Sequence, residues 1–282
     1  MKAYRIILPA LLISYTVLWC GGVVSYLFLG GPPPGSGWTA PAFLFIAALL
    51  IFILTSPGWR WHLPVAWIIA MAAEFAGLNW GYPFGSYSYT GVLYPSVLGI
   101  PLAIGCAWLI LFAYAREILS RFNAPAWLRP VIGASWMMAS DLLIDPLAAG
   151  SLGYWNWFHG GFYYGVPASN FAGWFIVGLG LFLIFRQSPR TNRKVAYAGF
   201  SILLFFTLIA IRQLLVGPVI AGAALLILHA FLLHGHQPRA IPEPSLSNNR
   251  EKSLSLRERY SNIRRTSRCT KSRFANHPPG TE

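Results

Sequence analysis

A chain of 282 residues that is 56% hydrophobic and 10% charged, with mean hydropathy +0.54, lacks the charge of a soluble domain, where about 25% of residues are charged. It is expected to be an integral membrane protein. The formal charge of +13 sits between apolar runs and in the C-terminal tail, so it reads as topology information and not as a nucleic-acid patch. Three scattered cysteines, Cys20, Cys106 and Cys269, suggest neither a disulfide framework nor a zinc site.

Eight apolar runs are each long enough to span a bilayer, at roughly 17–24 residues. They lie near 6–29, 39–56, 62–79, 97–115, 127–147, 169–185, 195–211 and 214–233. The first follows Lys2 and Arg5 but is too long for a secretory leader, and it is expected to be a span. With the N-terminus inside, every Lys and Arg up to residue 194 falls on one side, and Arg212 alone falls on the other. The positive-inside rule therefore places both termini in the cytoplasm, in a multi-pass protein of the inner (cytoplasmic) membrane. The expected fold is a polytopic all-α bundle, residues 1–237. Residues 238–282 form a basic tail poor in large apolar groups, expected to be disordered and cytoplasmic, with anionic lipid headgroups as an alternative contact.

Two outer loops stand apart. Residues 79–94 and 150–170 carry no charge other than that of His159 when protonated, and are dense in Tyr, Trp, Phe and Gly. An interfacial aromatic belt needs only a few rings per helix end. Rings at this density, with glycines that let the backbone turn tightly, predict a lined pocket. Each loop follows a span that bears acids, which hints at a parallel internal repeat.

Those acids are the centre of the sequence. Asp141 and Asp145 are the only aspartates, and a spacing of four puts them on one helical stripe. Pro146 is expected to kink or stop the helix just after them. Glu74 lies in the third run. At 1.5 Å per residue, Glu74 and Asp141 lie about 18 and about 20 Å from the cytoplasmic ends of their spans, with Asp145 about 6 Å further out. An ionisable residue at such depth is by default functional. The bland alternatives are hydrogen bonds between the aspartates and Ser140, Ser135 or a neighbouring helix backbone, and a structural partnership of Glu74 with Asn79 or a tyrosine. Glu117, beside Arg116 and Arg121, reads as an ordinary interfacial charge.

Other chemistries are set aside. The six histidines form none of the clustered motifs of membrane di-iron enzymes, and no Gly-rich nucleotide loop follows a strand pattern. Asp141-x-x-x-Asp145 resembles half of the aspartate signature of magnesium-dependent prenyltransferases, but no second cluster exists. What remains is a pair of carboxylic acids under an aromatic roof. Such a site can protonate an alkene, let ring faces stabilise the tertiary carbocation, and direct water onto it. A substrate without polar groups would be held by apolar and aromatic surface.

A set of motifs then resembles a known family. Glu74-x-x-Gly77, Gly81-x-x-Phe84-Gly85-x-Tyr87-x-Tyr89, Gly99-x-Pro101 and Asp141-x-x-x-Asp145-Pro146 come first. Trp155-x-Trp157, Gly161-x-x-Tyr164-Gly165-x-Pro167-x-x-Asn170 and Gly173-Trp174 complete it. Together, over roughly residues 65–185, they resemble the CruF-type carotenoid biosynthesis membrane proteins, which include carotenoid 1',2'-hydratases and bisanhydrobacterioruberin hydratases. The basic tail is not part of that pattern. The resemblance implies addition of water to the terminal double bond of an acyclic or monocyclic carotenoid taken from the bilayer, without cofactor or metal. From the chemistry, Asp141, Asp145 and Glu74 are the expected catalytic residues. Trp136, Tyr87, Tyr89, Trp155, Trp157, Tyr164, Asn79 and Asn170 are expected to bind substrate. The competing readings are a non-enzymatic membrane transporter or lipid-binding scaffold that uses the same acids for proton coupling, and the prenyltransferase.

Overall fold

The computed structural model describes residues 2–185 and 192–235, apart from the side chains of residues 2–5, 234 and 235. The expected tail, together with Arg186, Arg190 and His236, lies outside the described residues. Met1–His236 form one compact unit.

The described residues form nine helices and four short strands, in the order α1 (Lys2–Phe28), α2 (Thr39–Leu54), α3 (Pro57–Arg60), α4 (His62–Trp80), β1 (Tyr87–Tyr89), β2 (Ser96–Val97), β3 (Ile100–Pro101), α5 (Leu102–Leu119), α6 (Arg129–Ala149), β4 (Trp155–Trp157), α7 (Ala168–Ile184), α8 (Arg193–Arg212) and α9 (Val216–Gly235). Among the described residues, six helical segments are long and apolar enough to cross a membrane, and α2 and α7 are shorter apolar helices of 16 and 17 residues. These eight match the eight apolar runs, and the protein is an all-α membrane protein.

Helix α5 is the hub. It packs against α2, α4, α6 and α8, and 89% of its apolar window is buried. A helix that is apolar all round belongs inside. Helix α1 lies at the other extreme, with 6% of its window buried, and packs on α2 and α8. The closest partnership is α6 with α7. Small residues let these two backbones approach, as is usual between membrane helices. A Cβ on Gly133 would come within 2.6 Å of the Phe182 ring, and Gly178 already lies against Ala134 and Met137.

Pro146 does not end α6. The helix continues for nearly another turn to Ala149 and closes at Gly150. Proline removes the amide hydrogen that would reach the carbonyl four residues back. That carbonyl, on Leu142, instead accepts a 3.0 Å bond from the Tyr163 hydroxyl. The aromatic loop of residues 150–170 thus supplies a donor to that carbonyl, and the helix carries both aspartates without a break.

The two aromatic loops meet. Strands β1 and β4 pair antiparallel, with Tyr87 opposite Trp157, Ser88 opposite Asn156 and Tyr89 opposite Trp155. This ribbon covers one end of the bundle. Helix α4 feeds it through Gly81, whose left-handed backbone (φ 73°) caps the helix with a bond to Gly77 O. Strands β2 and β3 form a separate tight hairpin that leads into α5.

Candidate active site

Glu74 on α4 and Asp141 and Asp145 on α6 are 6%, 2% and 1% exposed, so all three acids are withdrawn from bulk water. All three line one cavity beneath the β1–β4 ribbon, with an empty volume of about 830 Å³ including its mouth. Apart from the acids and Asn170, its wall is aromatic or aliphatic.

Helical spacing explains the aspartates, and α7 supplies the group that links them. Asn170 sits in the first turn of α7, and its amide nitrogen donates to Asp141 Oδ2 at 2.6 Å and to Asp145 Oδ2 at 2.5 Å. A side-chain amide has two hydrogens, one for each acid. Asp145 Oδ1 accepts further bonds from Trp155 Nε1 at 2.8 Å and Trp157 Nε1 at 3.4 Å. Asp145 therefore faces three N–H donors and Asp141 one. Ser140 does not serve the acids, because its hydroxyl bonds to Trp136 O at 2.9 Å.

Glu74 is held by rings. Its Oε2 accepts from the hydroxyls of Tyr87 and, at 2.8 Å, Tyr89, and its Oε1 accepts from Trp108 Nε1 at 2.8 Å. Burial first, and then the Glu74 carboxylate, raise both phenols above their ordinary range, so the two hydroxyls stay protonated donors. Gly77, one turn after Glu74, makes the approach possible. A Cβ there would lie 2.8 Å from the Phe84 ring and 3.1 Å from the Tyr87 hydroxyl. Gly173 on α7 receives the other edge of Phe84, at 2.6 Å from where its Cβ would be. These two contacts give a packing reason for two of the glycines in the sequence motifs.

The ribbon therefore distributes its donors by strand. Tyr87 and Tyr89 of β1 serve Glu74, and Trp155 and Trp157 of β4 serve Asp145. Side chains two apart on a strand share a face, so each strand presents both of its rings to the cavity.

Three residues expected in the site stand elsewhere. Trp136 packs edge-on against Tyr114 with ring centroids 5.9 Å apart and does not line the cavity. It lies five residues before Asp141, which rotates it well away from the acid stripe. Tyr164 is 44% exposed and accepts a 2.9 Å bond from Gly217 N at the start of α9. Asn79 is exposed in the last turn of α4 and donates to Phe75 O at 2.8 Å, so it is no partner of Glu74.

The sequence reading also missed residues. Trp108 on α5 stacks on Trp174 of α7 with centroids 3.7 Å apart and planes 8° from parallel, and both line the cavity along with Phe84 and Tyr154. Trp174 lies in a recognised motif, whereas nothing in an evenly apolar α5 singles out Trp108.

Glu117 is not an interfacial charge. It is 1% exposed, pairs with Arg116 at 2.6 Å, and accepts a 2.9 Å bond from Asn192 N ahead of α8. The Arg116 guanidinium lies 4.0 Å from the centre of the Trp59 ring. This cluster ties the C-terminal end of α5 to Asn192 and Trp59 and takes no part in the cavity. Among the described residues, no three His, Cys, Asp or Glu side chains gather closely enough to hold a metal ion.

The fold and site define a polytopic membrane protein with an acid-bearing, aromatic-lined cavity beneath the β1–β4 ribbon. The profile of the family described as "Carotenoid biosynthesis protein" matches residues 38–232, most of the chain, and the protein belongs to that family, with a role in carotenoid biosynthesis. It is 33% identical over 117 residues to the bisanhydrobacterioruberin hydratase of Haloarcula japonica, an alignment covering 40% of this chain and 39% of that protein. The chain thus matches well under half the length of this relative. No solved structure matches it.

Proposed function

We propose that the protein is a carotenoid hydratase that adds water across the terminal trisubstituted double bond of an acyclic or monocyclic carotenoid. The observation that carries this reading is the convergence of Glu74, Asp141 and Asp145 on a cavity otherwise walled by rings and aliphatic groups. The similarity to a bisanhydrobacterioruberin hydratase supports it.

In this reading Asp141, with a single N–H donor, carries the proton, and Asp145, with three, is the ionised partner. Asp141 gives its proton to the less substituted alkene carbon, and the π bond becomes the new C–H bond. The tertiary cation left behind lies among the Trp108, Trp174, Tyr87 and Trp157 rings, whose faces attract positive charge by about 0.5–2 kcal/mol each. Water attacks the cation, and Asp145 takes the proton released as the C–O bond forms. One proton is spent and one recovered, so the pair returns to its starting count with no redox change. Glu74, fixed by three donors, is the countercharge for the cation and the anchor of the β1 rings. By the distribution of Lys and Arg, the cavity opens to the outer half of the cytoplasmic membrane, with both termini inside.

The test is pigment from a host that makes lycopene, with and without this chain. A gain of one water per modified end, seen as added mass and a tertiary alcohol, is the expected result. A lengthened isoprenoid would indicate prenyl transfer, and unchanged pigment in a host with inserted protein would reject the reading.

A further inference from the structure

A second cavity adjoins the first. It lies between α1, α2 and α8, has an empty volume of about 1040 Å³ including its mouth, and shares Leu44, Tyr154, Ile202 and Phe206 with the acid cavity as common wall. The two spaces therefore meet across four side chains. The Tyr154 hydroxyl interacts there with that of Tyr26, and burial holds the Tyr154 phenol above its ordinary range.

The lining of this second space differs in kind. It contains no acid, no base and no amide. The Trp19 donor is spent on Ser201 O at 2.9 Å, the Ser36 hydroxyl on Pro33 O at 2.5 Å and the Thr39 hydroxyl on Ser36 O at 2.7 Å. Apart from the hydroxyls of Ser25, Tyr26 and Tyr154, what faces inward is apolar, including the rings of Phe43, Phe205 and Phe206. Such a space, with no charged group and no amide, fits a hydrocarbon. Helix α1, which contributes much of it, precedes the residues matched by the family profile.

We infer that this α1–α2–α8 cavity is a second subsite that holds the polyene of the substrate while its reactive end occupies the acid cavity. The inference rests on the carotenoid reading of the acid site and extends it. A carotenoid is a stiff rod about as long as the hydrocarbon layer is thick, about 30 Å. A cavity that buries only the end group would leave most of the rod uncovered. The continuation is the space that shares side chains with the acid cavity and offers mainly apolar contact with no charged group. Acids act on one end, and rings and aliphatic groups grip the inert length. It follows that α1 governs which chain lengths are accepted.

Ser25 and Ala40 line the second cavity but not the first. Ser25→Phe and Ala40→Phe should fill it and leave the acids untouched. The full chain in lipid nanodiscs is titrated with lycopene, read as quenching of tryptophan fluorescence. It is also assayed for hydration of lycopene and of dihydromyrcene, a short terpene with the same trisubstituted end. Each variant is expected to weaken lycopene binding by about tenfold or more, as overpacking does. Dihydromyrcene hydration should stay at the wild-type rate, which also shows that the variant is folded. Lycopene binding at wild-type strength in both variants would overturn the assignment, and so would equal loss of both substrates. A wild-type protein whose lycopene binding is weakened by these variants, but which hydrates neither substrate, would keep the second subsite and remove the hydratase reading.

Discussion

Tyr87 and Trp157 are register partners across the β1–β4 ribbon, with ring centroids 5.1 Å apart, yet they serve different acids. Tyr87 donates to Glu74 on α4, and Trp157 donates to Asp145 on α6. A shift of one residue in the ribbon would put the two tyrosines and the two tryptophans on opposite faces, so one of the two pairs would lose its acid. The ribbon therefore fixes the acids relative to each other and roofs the cavity in the same stroke. The predictions below follow from that arrangement and from the cluster at the opposite end of α5.

Asp141→Asn and Asp145→Asn each keep shape and most hydrogen bonding but remove either the transferable proton or the base. Hydration should fall by about 10²–10⁴-fold for each. The measurement is hydroxylated carotenoid per unit of inserted protein. Near-normal product from both variants would leave the proposed mechanism without its acid.

Glu74→Gln replaces a carboxylate that accepts from two hydroxyls and an indole with an amide that sets its own donor against one of them. Hydrogen bonds to charged groups contribute about 1.5–3 kcal/mol each. The loss in rate should therefore be about 10–100-fold, smaller than at the aspartates. Tyr87→Phe should reproduce part of it. A Glu74→Gln rate equal to wild type would show that Glu74 only supports the fold.

Glu117→Ala removes the carboxylate that pairs with the buried Arg116 guanidinium and accepts from Asn192 N. Breaking a buried pair from one side costs about 3–5 kcal/mol. The variant should unfold at lower temperature or denaturant, while hydration per folded molecule stays at the wild-type level. A variant as stable as the parent would mean that water reaches the cluster and replaces the carboxylate.

The membrane orientation is open to a direct check. Reporter fusions after Gly91 and after Gly161 should read as periplasmic, and one after Asn123, between α5 and α6, as cytoplasmic. A cytoplasmic signal at either of the first two positions would reverse the orientation argued from Lys and Arg.

The sequence by itself determined the spans, because about 20 apolar residues in a row have few other solutions. It also determined the acid stripe, since Asp141 and Asp145 are four apart on one helix and periodicity alone sets them on one face. Two charge-poor, ring-rich loops after acid-bearing spans announced a lined pocket. Tertiary structure decided the rest. A membrane helix is apolar on every side, so its pattern does not say which ring points inward. Trp108 emerged as a cavity wall, Trp136 turned away, and Tyr164 and Asn79 found partners outside the cavity. Pro146 reads as a helix stop only while Tyr163, 17 residues further on, is out of sight. Glu117 reads as interfacial until its burial and the bond from Asn192 N are seen. Asn79 apart, which bonds within its own helix, the deciding contact in each case joins residues far apart in sequence. Packing chooses such contacts, and local periodicity does not encode them.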